Sequence, residues 1–163
     1  MNILLIAYYY DQPGCGGAER PRSLVRHFSA AGHRVTVLTS GSESDRREGT
    51  ARVIFDPSHN GDRRGAGAVA WLGRRLAVEA RLRCGLYASI LTAWQRRTER
   101  AANEILSSGP DVILVTYPPV ENLLLGLQLH ERSGVPLVAE FRDGLLFEPV
   151  ERRAVQYRGV RRS

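Results

Sequence analysis

The chain has no lysine: all 23 of its basic residues are arginine. A P-loop needs a Gly-Lys-Ser/Thr whose lysine reaches the terminal phosphates, so the P-loop kinase and ATPase classes are excluded. Cysteine is nearly as scarce. Cys15 and Cys84 are too few and too far apart for a disulfide framework or a zinc site, and both are read as free thiols. His27, His33, His59 and His130 show no ligand spacing, so no metal is expected. Apolar runs such as Ile3 to Tyr10 and Leu123 to Leu127 fall short of the roughly 18 residues of a membrane-spanning helix. Neither a basic lead nor a small-residue cleavage site precedes the first strand-like run, which leads to the expectation of no secretory signal and a cytoplasmic protein. Internal repeats and low-complexity segments are lacking too.

What is present begins with a 43% apolar composition in 163 residues, enough for one ordinary core. Charge is unevenly placed along it. The net charge is +6, yet Arg63 to Arg100 holds nine arginines against Glu79 and Glu99, so this one segment makes the chain basic. A second small cluster, Arg152, Arg153, Arg158, Arg161 and Arg162, closes the sequence. Exclusive use of arginine also fits a GC-rich coding sequence with no chemical purpose behind it.

Hydrophobic patterning alternates between two periods. "NILLIAYYY", "HRVTVLTS", "ARVIFD", "PDVILVTY" and "VPLVAEFRD" read as five short strands, several of them continuous apolar runs suited to burial on both faces. Between them, "AERPRSLVRHFSAAGH" places Leu24, Phe28 and Ala31 on one helical face with Gly32 as a stop, and "VENLLLGLQLHERSG" stops at Gly134. Residues 66–107 are also helical in pattern, with Val69, Leu72, Leu76, Ala80, Leu86, Ile90 and Trp94 at helical spacing and a break near Gly85. The polar segments Gly41 to Thr50 and "HNGDRRGAG" read as loops. This alternation predicts an α/β fold, a Rossmann-like parallel sheet with helices on both faces. In such sheets ligands sit at the carboxyl ends of the strands, which aligns three segments on one edge: Asp11 to Glu19, Thr116 to Asn122 and Arg142 to Phe147.

The first of these, "YYYDQPGCGGAERP", puts three glycines where a strand hands over to a helix. Backbone N–H groups at such a turn, with the helix dipole behind them, suit a phosphate; a tight turn with no ligand is the competing reading. A dinucleotide fingerprint is disfavoured, because Glu19 stands where the third glycine belongs and the second strand ends in Thr39-Ser40 rather than a ribose-binding acid.

The stretches "ILLIAYYYDQPGCGGAERPRSLVRHFSAAGHRVTVLTS" and "PDVILVTYPPVENLLLGLQLHERSGVPLVAEFRD" resemble the N-terminal, acceptor-side domain of the retaining family 4 glycosyltransferases with the GT-B fold. The likeness covers about residues 1–150, with 41–108 only weakly similar; residues 151–163 read as a basic tail or the start of a truncated helix. It implies a two-lobed enzyme moving a sugar from a nucleotide-sugar donor to a glycan or lipid-linked acceptor in cell-envelope, exopolysaccharide or capsule synthesis. The donor-gripping C-terminal lobe lies outside this sequence and is expected to be absent or supplied by another chain, so the chain alone is expected to be inactive. Cofactors are none, the nucleotide-sugar being a co-substrate.

The resemblance also assigns residues. Gly16, Gly17 and Glu19 match the family's donor phosphate and sugar loop, although a carboxylate in a first helical turn stabilises the helix by itself. Pro21 suits an early helical position. Many relatives carry a His after the fourth strand; here Thr116-Tyr117-Pro118-Pro119 stands in its place, which weakens the case for a catalytic His in this half. Asp143 is the candidate catalytic residue, orienting or deprotonating an acceptor hydroxyl, against an ion-pair or loop-cap role. Thr116, Tyr117, Glu121 and Arg142 are candidate acceptor contacts. Arg74, Arg75, Arg81 and Arg83, with Trp71 and Trp94, resemble an interfacial helix that would make an anionic membrane surface a peripheral partner; the plainer reading packs the apolar face on the sheet. Nucleic acid is not expected, because no recognition motif accompanies the arginines. Alternatives are a non-catalytic remnant or partner subunit that binds a glycan or a protein, and a sugar-nucleotide epimerase-like domain.

Overall fold

The computed structural model describes residues 1–12, 16–40, 45–49, 51–56, 72, 73, 76, 77, 79–81 and 92–141. Within these the chain runs β1 (Asn2–Ile6), α1 (Gly16–Ala30), β2 (Arg34–Ser40), β3 (Arg46–Glu48), β4 (Ala51–Asp56), α2 (Thr92–Leu106), β5 (Val112–Tyr117), α3 (Val120–Ser133) and β6 (Leu137–Phe141). The six strands form one sheet in the order β3-β4-β2-β1-β5-β6. Every pairing is parallel except the short antiparallel β3–β4 ribbon.

The period of two along each strand sorts the core into two layers. Ile3 and Leu5 of β1, Val35 and Val37 of β2, and Val53 of β4 pack with Val25, Leu24 and Phe28 of α1. Leu4, Ile6, Leu38, Ile113 and Val115 face the other way and pack with Trp94, Ala102 and Ile105 of α2 and Leu125 and Leu129 of α3. Strands buried on both faces must read as unbroken apolar runs, as "NILLI" and "VILV" do. Helices therefore cover both faces, as the patterning predicted.

Four local expectations change. The polar segment 41–50 is not all loop: Arg46–Glu48 adds a sixth strand at the sheet edge, too short and too charged to show strand periodicity. Ala31 lies past the end of α1, in an exposed turn where Gly32 adopts φ 79°, so Val25 rather than Ala31 completes the helix's buried face. Trp94 is buried at 2% exposure, its ring edge-on to Tyr8 with centroids 5.1 Å apart, and is a core residue rather than an interfacial anchor. Leu72 and Leu76, in contrast, are exposed at 51% and 60%, so the plain reading in which that stripe packs on the sheet does not hold for these two residues. Trp71, Gly85 and residues 142–163 lie outside the described residues.

Tight fastenings hold the far end of the sheet. The Asn2 amide donates to Asp111 Oδ2 at 2.6 Å, the Asp111 amide returns to the Asn2 carbonyl at 2.8 Å, and the Arg34 amide donates to the Met1 carbonyl at 2.9 Å. α2 and α3 are joined by the Arg132–Glu99 pair at 2.5 Å. These contacts leave the opposite end, where β1 and β5 finish, to carry the loops.

Candidate functional site

The sheet order changes direction at β1: the chain leaves β1 toward β2 on one side, then returns to β5 on the other. Ligands of open α/β sheets bind at the carboxyl ends of strands that flank such a switch point. Here that place is a small crevice lined by Gly17, Arg20 and Pro21 of α1, Thr116 and Tyr117 at the end of β5, Pro118 beyond it, and Glu140 of β6.

The wall from β1 is a fixed turn. After Ile6 the chain folds through Ala7 to Gln12, with the Tyr10 amide donating to Ala7 and the Gln12 amide to Tyr9, each at 3.1 Å. The Tyr8 carbonyl accepts from the Ser40 amide at 3.3 Å, Ser40 Oγ at 3.0 Å and Thr39 Oγ1 at 3.2 Å. Thr39 and Ser40, which stand in place of a ribose-binding acid, are therefore occupied in holding this turn. α1 starts at Gly16, which is exposed, with Gly17 next. Pro21 is the sixth residue of the helix rather than part of its first turn, and its nitrogen has no hydrogen to give the Gly17 carbonyl. The crevice thus lies beside the start of α1 and beside Gly17, whose carbonyl receives no hydrogen bond from Pro21.

The opposite wall comes from β5. Tyr117-Pro118 and Pro118-Pro119 are both cis peptides. The Tyr117 ring is buried and lies 5.8 Å from Phe141, its register partner on β6. Asn122 Nδ2 donates to the Thr116 carbonyl at 2.8 Å, tying the first turn of α3 to the end of β5. Across the mouth, Arg20 Nε donates to Glu140 Oε1.

Of the residues assigned in advance, Gly17, Thr116 and Tyr117 converge on the crevice, with Gly16 beside them at the start of α1. Glu19 does not line it; its side chain is 74% exposed and lies 3.9 Å from Arg22. Glu121 is buried at 2% in the first turn of α3, behind the crevice wall and not among its lining. Arg81 is exposed on a helical segment, while Arg74, Arg75, Arg83, Arg142 and Asp143 lie outside the described residues. The sequence reading missed Arg20 and Glu140. The charge in "LVAEF" was the available signal, since it interrupts an otherwise apolar strand run.

It also missed a polar cluster beside the turn. Tyr10 Oη donates to Glu48 Oε2 at 2.6 Å, and Arg46 Nη2 donates to Asp11 Oδ1 at 2.5 Å and to Glu48 Oε1 at 2.6 Å. Burial and the bond to Glu48 push the Tyr10 phenol well above its ordinary range. Burial alone would raise the Glu48 carboxyl, but the Tyr10 hydroxyl and the Arg46 guanidinium outweigh it and hold it below the usual carboxylate value. Arg46, bonded first to Asp11 and then to Glu48, is held more firmly protonated than a free arginine. β3 thereby clamps the residue that opens the loop to α1. Among the described residues no three His, Cys, Asp or Glu side chains come together as a metal site.

A Rossmann-like sheet with a crevice at its switch point, walled by a glycine-led helix, defines the class: an α/β domain of the kind whose ligands sit at the strand ends. Comparison with protein families matches residues 16–163 to the Glycosyl transferase 4-like domain, and the chain belongs to that family. No curated protein matches it. No helix among the described residues is long and apolar enough to cross a membrane.

Proposed function

We propose that this chain is the acceptor-side half of a retaining GT-B glycosyltransferase, acting with a nucleotide-sugar donor and a glycan or lipid-linked acceptor. The observation that carries the reading is the convergence of Gly17 and the end of β5 on one crevice at the switch point. The start of α1 brings amide donors and the positive end of the helix dipole toward a diphosphate. The Gly17 carbonyl accepts a sugar hydroxyl, and the buried face of Tyr117 forms an apolar wall. Arg20, paired with Glu140 across the mouth, is a cation within reach of an incoming anion. Asp143, following β6, would serve the acceptor hydroxyl. Leu72 and Leu76, exposed among the arginines of that segment, support an anionic membrane surface as a peripheral partner.

Titrating residues 1–163 with a panel of nucleotide sugars and soluble acceptor sugars while recording amide chemical shifts tests this. Gly16, Gly17, Thr116 and Tyr117 should move, and Gly17→Val should abolish the effect. Shifts confined to other surfaces would overturn the reading. Sugar transfer by residues 1–163 alone should stay at blank, since gripping the donor is assigned to a second lobe.

A further inference from the structure

α1 carries a second stripe. At about 100° per residue, Arg22, Arg26 and Ser29 point to another side of α1 than the Gly17 and Arg20 that line the crevice, and Val25 lies between them, next to Pro21. This stripe, with Tyr10 and Glu48, lines a separate groove of about 420 Å³. That volume lies within the range of about 300–1,000 Å³ typical of small-ligand sites.

Its lining is unbalanced in charge. Arg22 and Arg26 are neighbours at i, i+4, where like charges repel and weaken a helix. Arg22 is partly compensated, 4.0 Å from Asp11 and 3.9 Å from Glu19. Arg26 makes no ion pair among the described residues, and Glu48, the one carboxylate on the groove, is already engaged by Tyr10 and Arg46. A surplus cation is thus left over a cavity. A second, independent imbalance sits one turn on. Ser29 Oγ is shut off from solvent and has no hydrogen-bond partner, not even the carbonyl four residues back that helical serines usually take. Ser29 also lines the groove, so a change of χ1 rotamer is the movement that would offer this hydroxyl to a ligand. Between these polar groups, Val25 supplies an apolar floor and Tyr10 an aromatic edge.

We infer that this groove is a binding site for a pyranose carrying one oxyanion, either a carboxylate or a phosphate ester, distinct from the switch-point crevice. Arg26 takes the oxyanion with its planar fork, Ser29 and Glu48 take ring hydroxyls, and Val25 lies under the sugar's C–H face. The inference does not depend on the transferase reading, because the groove faces another side of α1.

Amide shifts of residues 1–163 are followed on titration with D-glucuronate, glucose 1-phosphate, glucose and inorganic phosphate. Both oxyanion-bearing sugars should move Val25, Arg26 and Ser29, leaving Gly17 and Thr116 in place, and should bind about tenfold more tightly than glucose or phosphate alone, one charge-assisted bond being worth about that factor. Arg26→Ala, at an exposed helical position, should lower affinity about tenfold with the remaining spectrum unchanged. Ser29→Ala should weaken the sugars while leaving any residual phosphate binding alone. Silence at the groove, equal binding of phosphate and the sugar phosphate, or indifference to Arg26→Ala would each overturn the inference. Loss of the Gly17 and Thr116 response to nucleotide sugars would instead count against the crevice.

Discussion

Glu48 shows how one carboxylate can fasten a strand to a turn: it takes the Tyr10 hydroxyl from the turn after β1 and the Arg46 guanidinium from its own strand, while Arg46 reaches on to Asp11 in the same turn. Its folded pKa is lowered from the ordinary 4.5. A lowered carboxylate contributes stability that is fully present above the unfolded value and is lost as pH falls through the folded one. Urea unfolding of the wild type and Glu48→Gln should therefore differ at neutral pH and converge as the pH is taken below about 4.5. A gap of constant size across that range would mean that Glu48 acts by shape rather than charge. Solvent reaches this side chain, 36% exposed, so the effect should shrink in high salt. None of this cluster was legible in advance. Tyr10, Asp11, Arg46 and Glu48 are ordinary residues of a turn and a polar segment, and only the antiparallel return of β3 brings positions 10 and 48 together.

At the scale of elements, the glycine inside α3 and the one just past its end serve different purposes. Gly126 is buried where α3 crosses β5, and a Cβ there would stand 2.5 Å from Val115 Cγ1 and 3.1 Å from Leu137 Cδ1. Val115 is β-branched and cannot easily swing aside. Gly134 has open space around it but adopts φ 71° as the helix terminator, its amide returning to the His130 carbonyl at 2.8 Å. Gly126→Ala should destabilise by about 1–3 kcal/mol through overpacking. Gly134→Ala should cost about 1 kcal/mol through backbone conformation. A Val115→Ala background separates them in thermal unfolding, relieving the first and leaving the second unchanged. Gly134 was readable as a stop because it follows an apolar-periodic run. Gly126 was not, since a close approach of helix to strand depends on tertiary placement. The same contrast holds for the candidate site: Gly17, Thr116 and Tyr117 could be placed from their position after strands, whereas Arg20 and Glu140 became partners only once β6 lay beside β5.

For the whole molecule, the uneven charge sets an expectation for the surface on which it works. Leu72, Leu76 and Arg81 are exposed together in the arginine-rich segment. Sedimentation with anionic liposomes should exceed that with neutral ones at low salt, each arginine near the surface contributing about 1 kcal/mol, and should fall at high salt and in Arg74→Glu with Arg81→Glu. Equal partitioning to both lipids, or indifference to the double substitution, would leave the segment as a solvated helix.

The two margins of the sheet are finished differently. β3 is three residues long, charged and antiparallel, which blunts its side against further pairing. β6 is parallel, with Val138 and Phe141 exposed at 51% and 55%, and no strand pairs with its outer side among the described residues. Among the described residues the sheet therefore favours extension at its β6 margin. A strand added there, from whatever source, would run alongside Glu140 and Phe141 and become a neighbour of the crevice, so the architecture couples any growth of the fold to the switch point.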